Sequence, residues 1–200
     1  MKIISNKNST IHVNPSLSDK LSNLGIGNTF GFYFTQNSSG SMLSGFNIIA
    51  ASADYAVVLD KSSNTIVENN TFSQAVNNVL VKKSGNVLIN NNYLHNALNN
   101  SLQIRDVTNI SVLNNTVAFN GRSGIETSNL YDSLISWNQI FSNYFNGISM
   151  YNRSSNNNVT YNHVYENMNG IYINSQSSND NFQYNTLEFN RMGIVKFFVV

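Results

Sequence analysis

Three large aromatic residues stand at intervals of 24 and 23 residues in the second half of the chain, at Trp137, Tyr161 and Tyr184. Each directly precedes an asparagine that belongs to a longer repeating series. If the repeats stack as neighbouring strands, the three rings lie in line, about 4.8 Å apart. Exposed rings can pack against the apolar faces of sugars, so this line predicts a carbohydrate-binding surface with Trp137 as its principal residue. The alternative is that the rings stack only on one another and stabilise a turn.

Carboxylates that could cleave a polysaccharide are few. Such an enzyme needs two carboxyl groups close together, or a calcium cluster beside a basic residue. The chain has 10 Asp and Glu residues in all. Glu166 and Glu188 form the nearest pair, one repeat apart but offset by one position, which should point them in different directions. They are the alternative catalytic pair, and the first hypothesis assigns no catalytic residue.

Metal ligands are scattered along the sequence. The three histidines, His12, His95 and His163, fall in different parts of the repeat, and there is no cysteine. A copper site needs soft ligands that converge on one point. The pattern therefore predicts neither a metal site nor a cofactor.

An asparagine recurs with a period of about 23 residues, which is the signature of a stacked solenoid. Its amide both donates and accepts hydrogen bonds, so a buried column of these side chains can satisfy the backbone groups of a turn. The predicted ladder consists of Asn47, Asn70, Asn92, Asn115, Asn138, Asn162 and Asn185. A second, shorter column is predicted at Asn120, Asn143, Asn167 and Asn190.

Each repeat contains three short apolar segments, which we interpret as β-strands. Around Asn138 these are Leu134-Ile135, Ile140-Phe141 and Ile148 to Met150. Strands so short are stable only when they pair with their copies in neighbouring repeats, and crossovers between parallel strands are right-handed. The predicted fold class is all-β, a single-stranded right-handed parallel β-helix with three strands per rung and about seven to eight rungs.

The ends of the chain fit this period less well. Residues 1–37 are predicted to form an N-terminal cap and a first partial rung, with residues 38–200 as the β-helix repeats. The C-terminal residues are apolar and carry no polar covering, from Val195 to Val200. Because open strand edges invite pairing, a homo-oligomer or the continuation of a longer chain is expected at this end.

Composition limits the partners. The net charge is +1 and no basic tract occurs, which argues against nucleic acid as a ligand. No apolar run approaches the roughly 20 residues of a transmembrane helix, so no membrane span is predicted. The first residues show no signal-peptide pattern. The expected location is nevertheless extracellular or at the cell surface, as part of an exported protein.

The chain resembles the parallel β-helix repeat proteins of the NosD-like, carbohydrate-binding and sugar-hydrolase type. The matching stretches are SNTIVENNTF at 63–72, VLNNTV at 112–117 and the Asn-x-x-x-Gly-Ile segments that end at Ile148 and Ile194. The resemblance implies the fold. It does not imply one activity, because the family includes lyases, hydrolases, epimerases, tailspikes and noncatalytic surface proteins.

Three functional hypotheses follow. The first is a noncatalytic carbohydrate-binding or cell-surface structural module, whose partner is a polysaccharide or other glycan bound through the aromatic line. The second is a polysaccharide hydrolase or lyase, similar to a pectinase, whose active site is not recognisable in the chain. The third is a structural segment of the viral fibre or tailspike type.

Overall fold

The chain folds into short parallel strands that stack into three sheets. The computed structural model describes residues 1–13, 29–51, 53–174 and 176–197. All pairings between its strands are parallel and join one rung to the next, as in β12 (Ile125–Tyr131) with β15 (Asn146–Tyr151). The described residues contain one 3₁₀ turn, at Gln36–Ser38, and no other helix. Among these residues there is no helix long and apolar enough to cross a membrane.

We number the strands β1 to β20 along the chain and the sheets in the order in which a rung visits them. Three long strands turn a corner and contribute to two sheets each, namely β1 (Lys2–His12), β3 (Met42–Ile49) and β10 (Leu102–Leu113). With them, sheet 1 contains β5 (Ile66–Glu68), β8 (Gly85–Asn90), β13 (Leu134–Ser136) and β16 (Asn158–Thr160). Sheet 2 contains β6 (Thr71–Ser73), β9 (Tyr93–His95), β11 (Thr116–Ala118), β14 (Gln139–Phe141), β17 (His163–Tyr165) and β19 (Thr186–Glu188). Sheet 3 contains β2 (Phe30–Phe34), β4 (Tyr55–Asp60), β7 (Asn77–Lys82), β12, β15, β18 (Asn169–Asn174) and β20 (Met192–Phe197).

The coil makes about seven turns, since sheet 3 stacks eight described strands from β2 to β20, β10 included. Like residues lie above one another in its core: Ile125 pairs with Ile148, and Ile148 pairs with Ile171. All three side chains are fully buried. Burial of each such side chain contributes about 1.5–3 kcal/mol before entropy costs. The predicted all-β parallel β-helix with three strands per rung is confirmed.

A hydrogen-bonded asparagine ladder fills the corner between sheets 1 and 2. The Asn138 amide donates to Asn162 Oδ1 and to the backbone oxygen of Val112, both at 2.9 Å. Its own Oδ1 accepts from the backbone N–H and the side-chain amide of Asn115. The same pattern links Asn70, Asn92, Asn115, Asn138, Asn162 and Asn185. The second column is likewise bonded from Asn120 through Asn143 and Asn167 to Asn190.

Asn47 lies outside this ladder, and its inclusion was wrong. Its register partner is Thr71, and the Phe46 N–H donates to Asn70 Oδ1. The ladder position of this rung is therefore Phe46. Gly45, with φ at +81°, takes the preceding corner position, where an added Cβ would collide with the backbone of Ser5. The sequence spacing gave the wrong register because Ile48 and Ile49 are both apolar and either could be the buried residue that follows the ladder position. Only Ile48 is fully buried, which places the ladder position two residues earlier, at Phe46.

Regular strands begin near the N-terminus. Lys2–His12 pairs with β3 along its length, apart from an irregularity between Ile4 and Ser9. Phe30–Phe34 pairs with β4, as expected for the third strand of an earlier rung. The coil thus includes part of the segment 1–37 that was predicted to be cap and partial rung. Residues 14–28 of that segment lie outside the described residues.

At its other end the coil exposes core-type positions. Ile194 continues the column of Ile171 but is 51% exposed, and Met192 and Phe197 are also exposed. The association predicted for this end stays a prediction.

The corners of the coil use left-handed backbone. Before each ladder asparagine stands a residue with φ between +52° and +60°, beginning with Asn69, Asn91 and Asn114. A residue type with a short polar side chain tolerates this conformation, whereas bulky side chains are disfavoured there. The residue type at each corner therefore affects the stability of the fold.

Asp180 occupies a ladder-like position near the end of the coil. Its Oδ1 accepts from the backbone and the side chain of Asn157, both at 2.9 Å, while its Oδ2 is buried without a partner among the described residues. Burial raises the pKa of Asp180 above the usual 3.8, against the two Asn157 bonds and Lys196, which lower it. A carboxyl with a raised folded-state pKa stabilises the fold below its unfolded pKa, and this contribution is lost as the pH rises through the folded pKa.

We therefore expect Asp180→Asn to raise the free energy of unfolding at pH 7 by about 1 kcal/mol, because the amide keeps the Oδ1 acceptor and removes the buried anionic oxygen. The gain should shrink as the pH falls through the raised folded-state pKa toward 3.8, below which Asp180 is protonated in both states. Urea unfolding curves between pH 3 and pH 8 measure the difference. Asp132→Asn, at an exposed carboxylate, is the control. A variant less stable than the wild type at pH 7 would refute this account of Asp180.

Candidate functional site

Trp137, Tyr161 and Tyr184 form a continuous exposed stack at the corner between sheets 1 and 2. Their exposed fractions are 60%, 43% and 68%. The ring centroids of Trp137 and Tyr161 are 4.5 Å apart with an angle of 3° between planes, and those of Tyr161 and Tyr184 are 4.9 Å apart at 13°. Parallel rings at this separation are offset-stacked. Tyr161 therefore has a ring on each side, and only the two end rings have a face that no member of the stack covers.

The backbone under this stack is unfavourable for aromatic residues. The φ angles of Trp137, Tyr161 and Tyr184 are +60°, +56° and +59°. The lower rungs place asparagine in this column with the same conformation. For residues other than Gly, Asn and Asp, left-handed backbone costs about 1–2 kcal/mol each. Stacking returns about 0.5–1.5 kcal/mol per ring pair, so the stack alone offers little net reason for the aromatic side chains.

A second row of rings lies on the outer face of sheet 2. Phe141 and Tyr165 stack at 4.8 Å and 6°, and Phe119 meets the edge of Phe141 at 5.4 Å. Phe141 and Tyr165 are four residues after Trp137 and Tyr161, respectively. The same side of the coil thus presents two rows of aromatic rings across neighbouring rungs.

The structure places Glu166 and Glu188 in different columns with different partners. Glu188 is in register with Tyr165, and its Oε2 lies 3.1 Å from His163 Nε2. Glu166 stands at a corner with φ +56°, and its Oε2 accepts from Ser142 Oγ at 2.8 Å. The one-position offset in sequence thus becomes a separation between strand and corner.

A polar cluster on the outer face of sheet 3 centres on Glu126. Its carboxylate accepts from Asn100 Nδ2 at 3.0 Å and Gln103 Nε2 at 3.1 Å, and lies 3.8 Å from Arg105. The side chain is only 19% exposed. Burial raises the pKa of Tyr151, and the Glu126 charge adds to this effect, so the phenol stays protonated and can donate a hydrogen bond.

A cavity of about 270 Å³ lies on the same face and includes Arg122, Tyr151 and Tyr172 in its lining. The sequence analysis did not identify this group. Gln103 and Glu126 are register partners in neighbouring rungs, so the repeat spacing could have identified this pair. Asn100 and Arg105 come from other columns, so no single column shows the whole cluster. Among the described residues, no group of three or more His, Asp or Glu side chains is arranged to hold a metal ion.

These features define the protein class as a right-handed parallel β-helix. A profile described as the right handed beta helix region matches residues 55–196. The chain therefore belongs to the right-handed β-helix family. No curated protein sequence matches it.

Solved structures similar to this chain include alginate and mannuronan epimerases and a tailspike protein. A double mutant of the periplasmic alginate epimerase AlgG matches with a TM-score of 0.73 and 19% identity, over 96% of this chain and 43% of that one. The mannuronan C-5 epimerase AlgE4 A-module of Azotobacter vinelandii gives 0.57 and 11%, over 80% and 64%. The Dettilon tailspike protein gives 0.62 and 12%, over 84% and 44%. This chain thus spans less than two thirds of each, and the likeness shows the fold.

Proposed function

We propose that this protein is a noncatalytic carbohydrate-binding β-helix module that binds a glycan through Trp137, Tyr161 and Tyr184. The observation that carries the proposal is the retention of three exposed aromatic residues at successive left-handed positions. Strain that is kept at a surface position, where the rings stay 43–68% exposed, is typical of a functional site. A chain with asparagine at these three positions, as in the lower rungs, would be about as stable.

The stack geometry suggests how a glycan binds. The interior ring is covered on both faces, so a sugar contacts the exposed ring edges and the faces of Trp137 and Tyr184 that no other ring of the stack covers. The indole N–H and the phenol hydroxyls supply hydrogen bonds to sugar hydroxyl groups. The rings repeat at about the 4.8 Å strand spacing, which suits an extended chain that runs along the coil. The Phe141–Tyr165 row lies beside this path and widens the apolar surface.

The similar structures support a carbohydrate ligand in a general way. Two of them are named as epimerases of alginate or mannuronan, and another is named as a tailspike protein. The AlgG structure is described as periplasmic. We accordingly propose an extracellular or cell-surface location for this protein as well.

A polysaccharide-modifying enzyme is the second candidate, and the Glu126 cluster favours it. A carboxylate held by two amides lies on the same face as a protonated Tyr151, whose pKa its charge helps to raise, and Tyr151 and Arg122 line a cavity there. These groups are the components of acid–base chemistry. The third candidate, a structural segment of the fibre type, needs neither surface.

One experiment separates the three candidates. Trp137 is the only tryptophan, so its fluorescence reports directly on the aromatic stack. A panel of neutral and acidic oligosaccharides is titrated while the same mixtures are assayed for new reducing ends, unsaturated products and changed sugar configuration. We expect saturable quenching without turnover, lost in a variant with Tyr161→Asn and Tyr184→Asn, which keeps Trp137 as the fluorophore. Turnover that is lost in Glu126→Gln would establish the enzyme instead, and silence in every assay would favour the structural segment.

A further inference from the structure

A polar cavity of about 550 Å³ lies at a different corner of the coil, where sheet 3 passes into sheet 1. Its lining includes Asp106, Asn129 and Asn152, which occupy one column in three successive rungs, and Gln176, which stands beside Arg153 in the next rung. Their φ angles are +55°, +50°, +60° and +76°. In earlier rungs the corresponding left-handed residues are Lys61 and Lys83. The column therefore changes from lysine to carboxylate and amide where the cavity begins.

The side chains that line this cavity keep unused hydrogen-bonding capacity. Asn129 Nδ2 donates to Asp106 Oδ1 at 2.7 Å, which leaves Asp106 Oδ2 and Asn129 Oδ1 without partners among the described residues. Arg153 Nε donates to Gln176 Oε1 at 3.4 Å, and both terminal guanidinium nitrogens remain without a described partner. The Asn152 amide likewise has no side-chain hydrogen bond within the described part of the chain. Free acceptors and donors of both charge types thus face one space.

We propose that this corner cavity is a second binding site, for a neutral pyranoside. One sugar hydroxyl donates to the Asp106 carboxylate, and a hydroxyl on the opposite side of the ring accepts from the Arg153 guanidinium or the Asn152 amide, because these groups stand two rungs, about 10 Å, from Asp106. Tyr131, which also lines the cavity, supplies an apolar wall.

Charge selects against acidic sugars at this site. Asp106 and Arg153 are the two charged residues of the lining and balance each other. A sugar carboxylate would gain from Arg153 but would meet the unshielded Asp106. The site is independent of the aromatic stack, because it lies at another corner and shares no residue with it.

The test is a two-dimensional amide NMR titration with the methyl glycosides of glucose, galactose and mannose, and with glucuronate as the acidic probe. A neutral glycoside should shift the signals of residues 106, 129 and 152 in a saturable way. Asp106→Asn keeps the shape but removes the charge-assisted bond, so it should weaken binding about tenfold. Arg153→Gln should weaken it similarly.

Asp132→Asn is the matched control, because Asp132 is also left-handed, at φ +51°, and accepts from Asn156 at 3.1 Å, but does not line the cavity. It should bind like the wild type. The proposal is overturned if no neutral glycoside shifts these signals. It is equally overturned if glucuronate binds in preference, or if Asp106→Asn and Asp132→Asn weaken binding alike.

Discussion

Replacement of Asn138 by leucine should lower the free energy of unfolding by about 3–5 kcal/mol, since each buried polar group left unpaired costs about 1–3 kcal/mol. The substitution removes the bond to the Val112 oxygen and the acceptor of the Asn115 N–H. It also deprives Asn162 Oδ1 of one of its donors. Asn138 is only 1% exposed, so water cannot take the place of these partners.

The control is Asn158→Leu, at an exposed strand position whose side chain accepts one exposed bond from Asn181. Its effect should stay within about 0.5 kcal/mol. Urea unfolding followed by far-ultraviolet circular dichroism measures both variants. An Asn138→Leu protein as stable as the wild type would show that the ladder does not hold the corners together.

Simultaneous replacement of Trp137, Tyr161 and Tyr184 by asparagine should reduce affinity for the bound glycan at least about a hundredfold. Loss of a binding hot spot costs about 2 kcal/mol or more, and three adjacent rings form one such surface. The replacement repeats the sequence that the lower rungs already use at Asn91 and Asn114. Isothermal titration calorimetry measures the affinity.

Tyr144→Asn is the matched control for this variant. Tyr144 is 73% exposed and is not among the residues with positive φ. It packs edge-on against Phe145, outside the stack. Its removal should leave the affinity unchanged. If the triple variant binds as tightly as the wild type, the glycan is bound elsewhere, and the Glu126 face becomes the first place to look.

Much of the fold is predictable from sequence because each corner repeats the same requirement. A buried turn needs a side chain that donates and accepts, and this need recurs at Asn70, Asn115 and Asn162 with the period of the coil. The predicted register was wrong at Asn47, because Phe46 and Gly45 occupy the corner positions of that rung in place of asparagines. It also failed to show that Lys2–His12 forms strand, because the spacing from this strand to the next rung departs from the period.

The candidate sites were predictable only in part. A column shows that Trp137, Tyr161 and Tyr184 lie in line, but it does not show that their rings cover one another or that their backbone is left-handed. The Glu126 cluster draws on several columns at once, and side-chain reach rather than spacing brings Arg105 to it. Repeats locate side chains along the coil axis and leave their directions at the corners undetermined.

The unfolding free energy of the triple asparagine variant tests most directly whether the aromatic stack exists for a ligand rather than for the fold. Relief of three left-handed positions, at about 1–2 kcal/mol each, should offset the loss of two stacked pairs and some burial. The variant should therefore unfold within about 1 kcal/mol of the wild type, measured by urea denaturation at pH 7. A loss of more than about 3 kcal/mol would contradict this account, because it would show that the three rings are part of what holds the coil together.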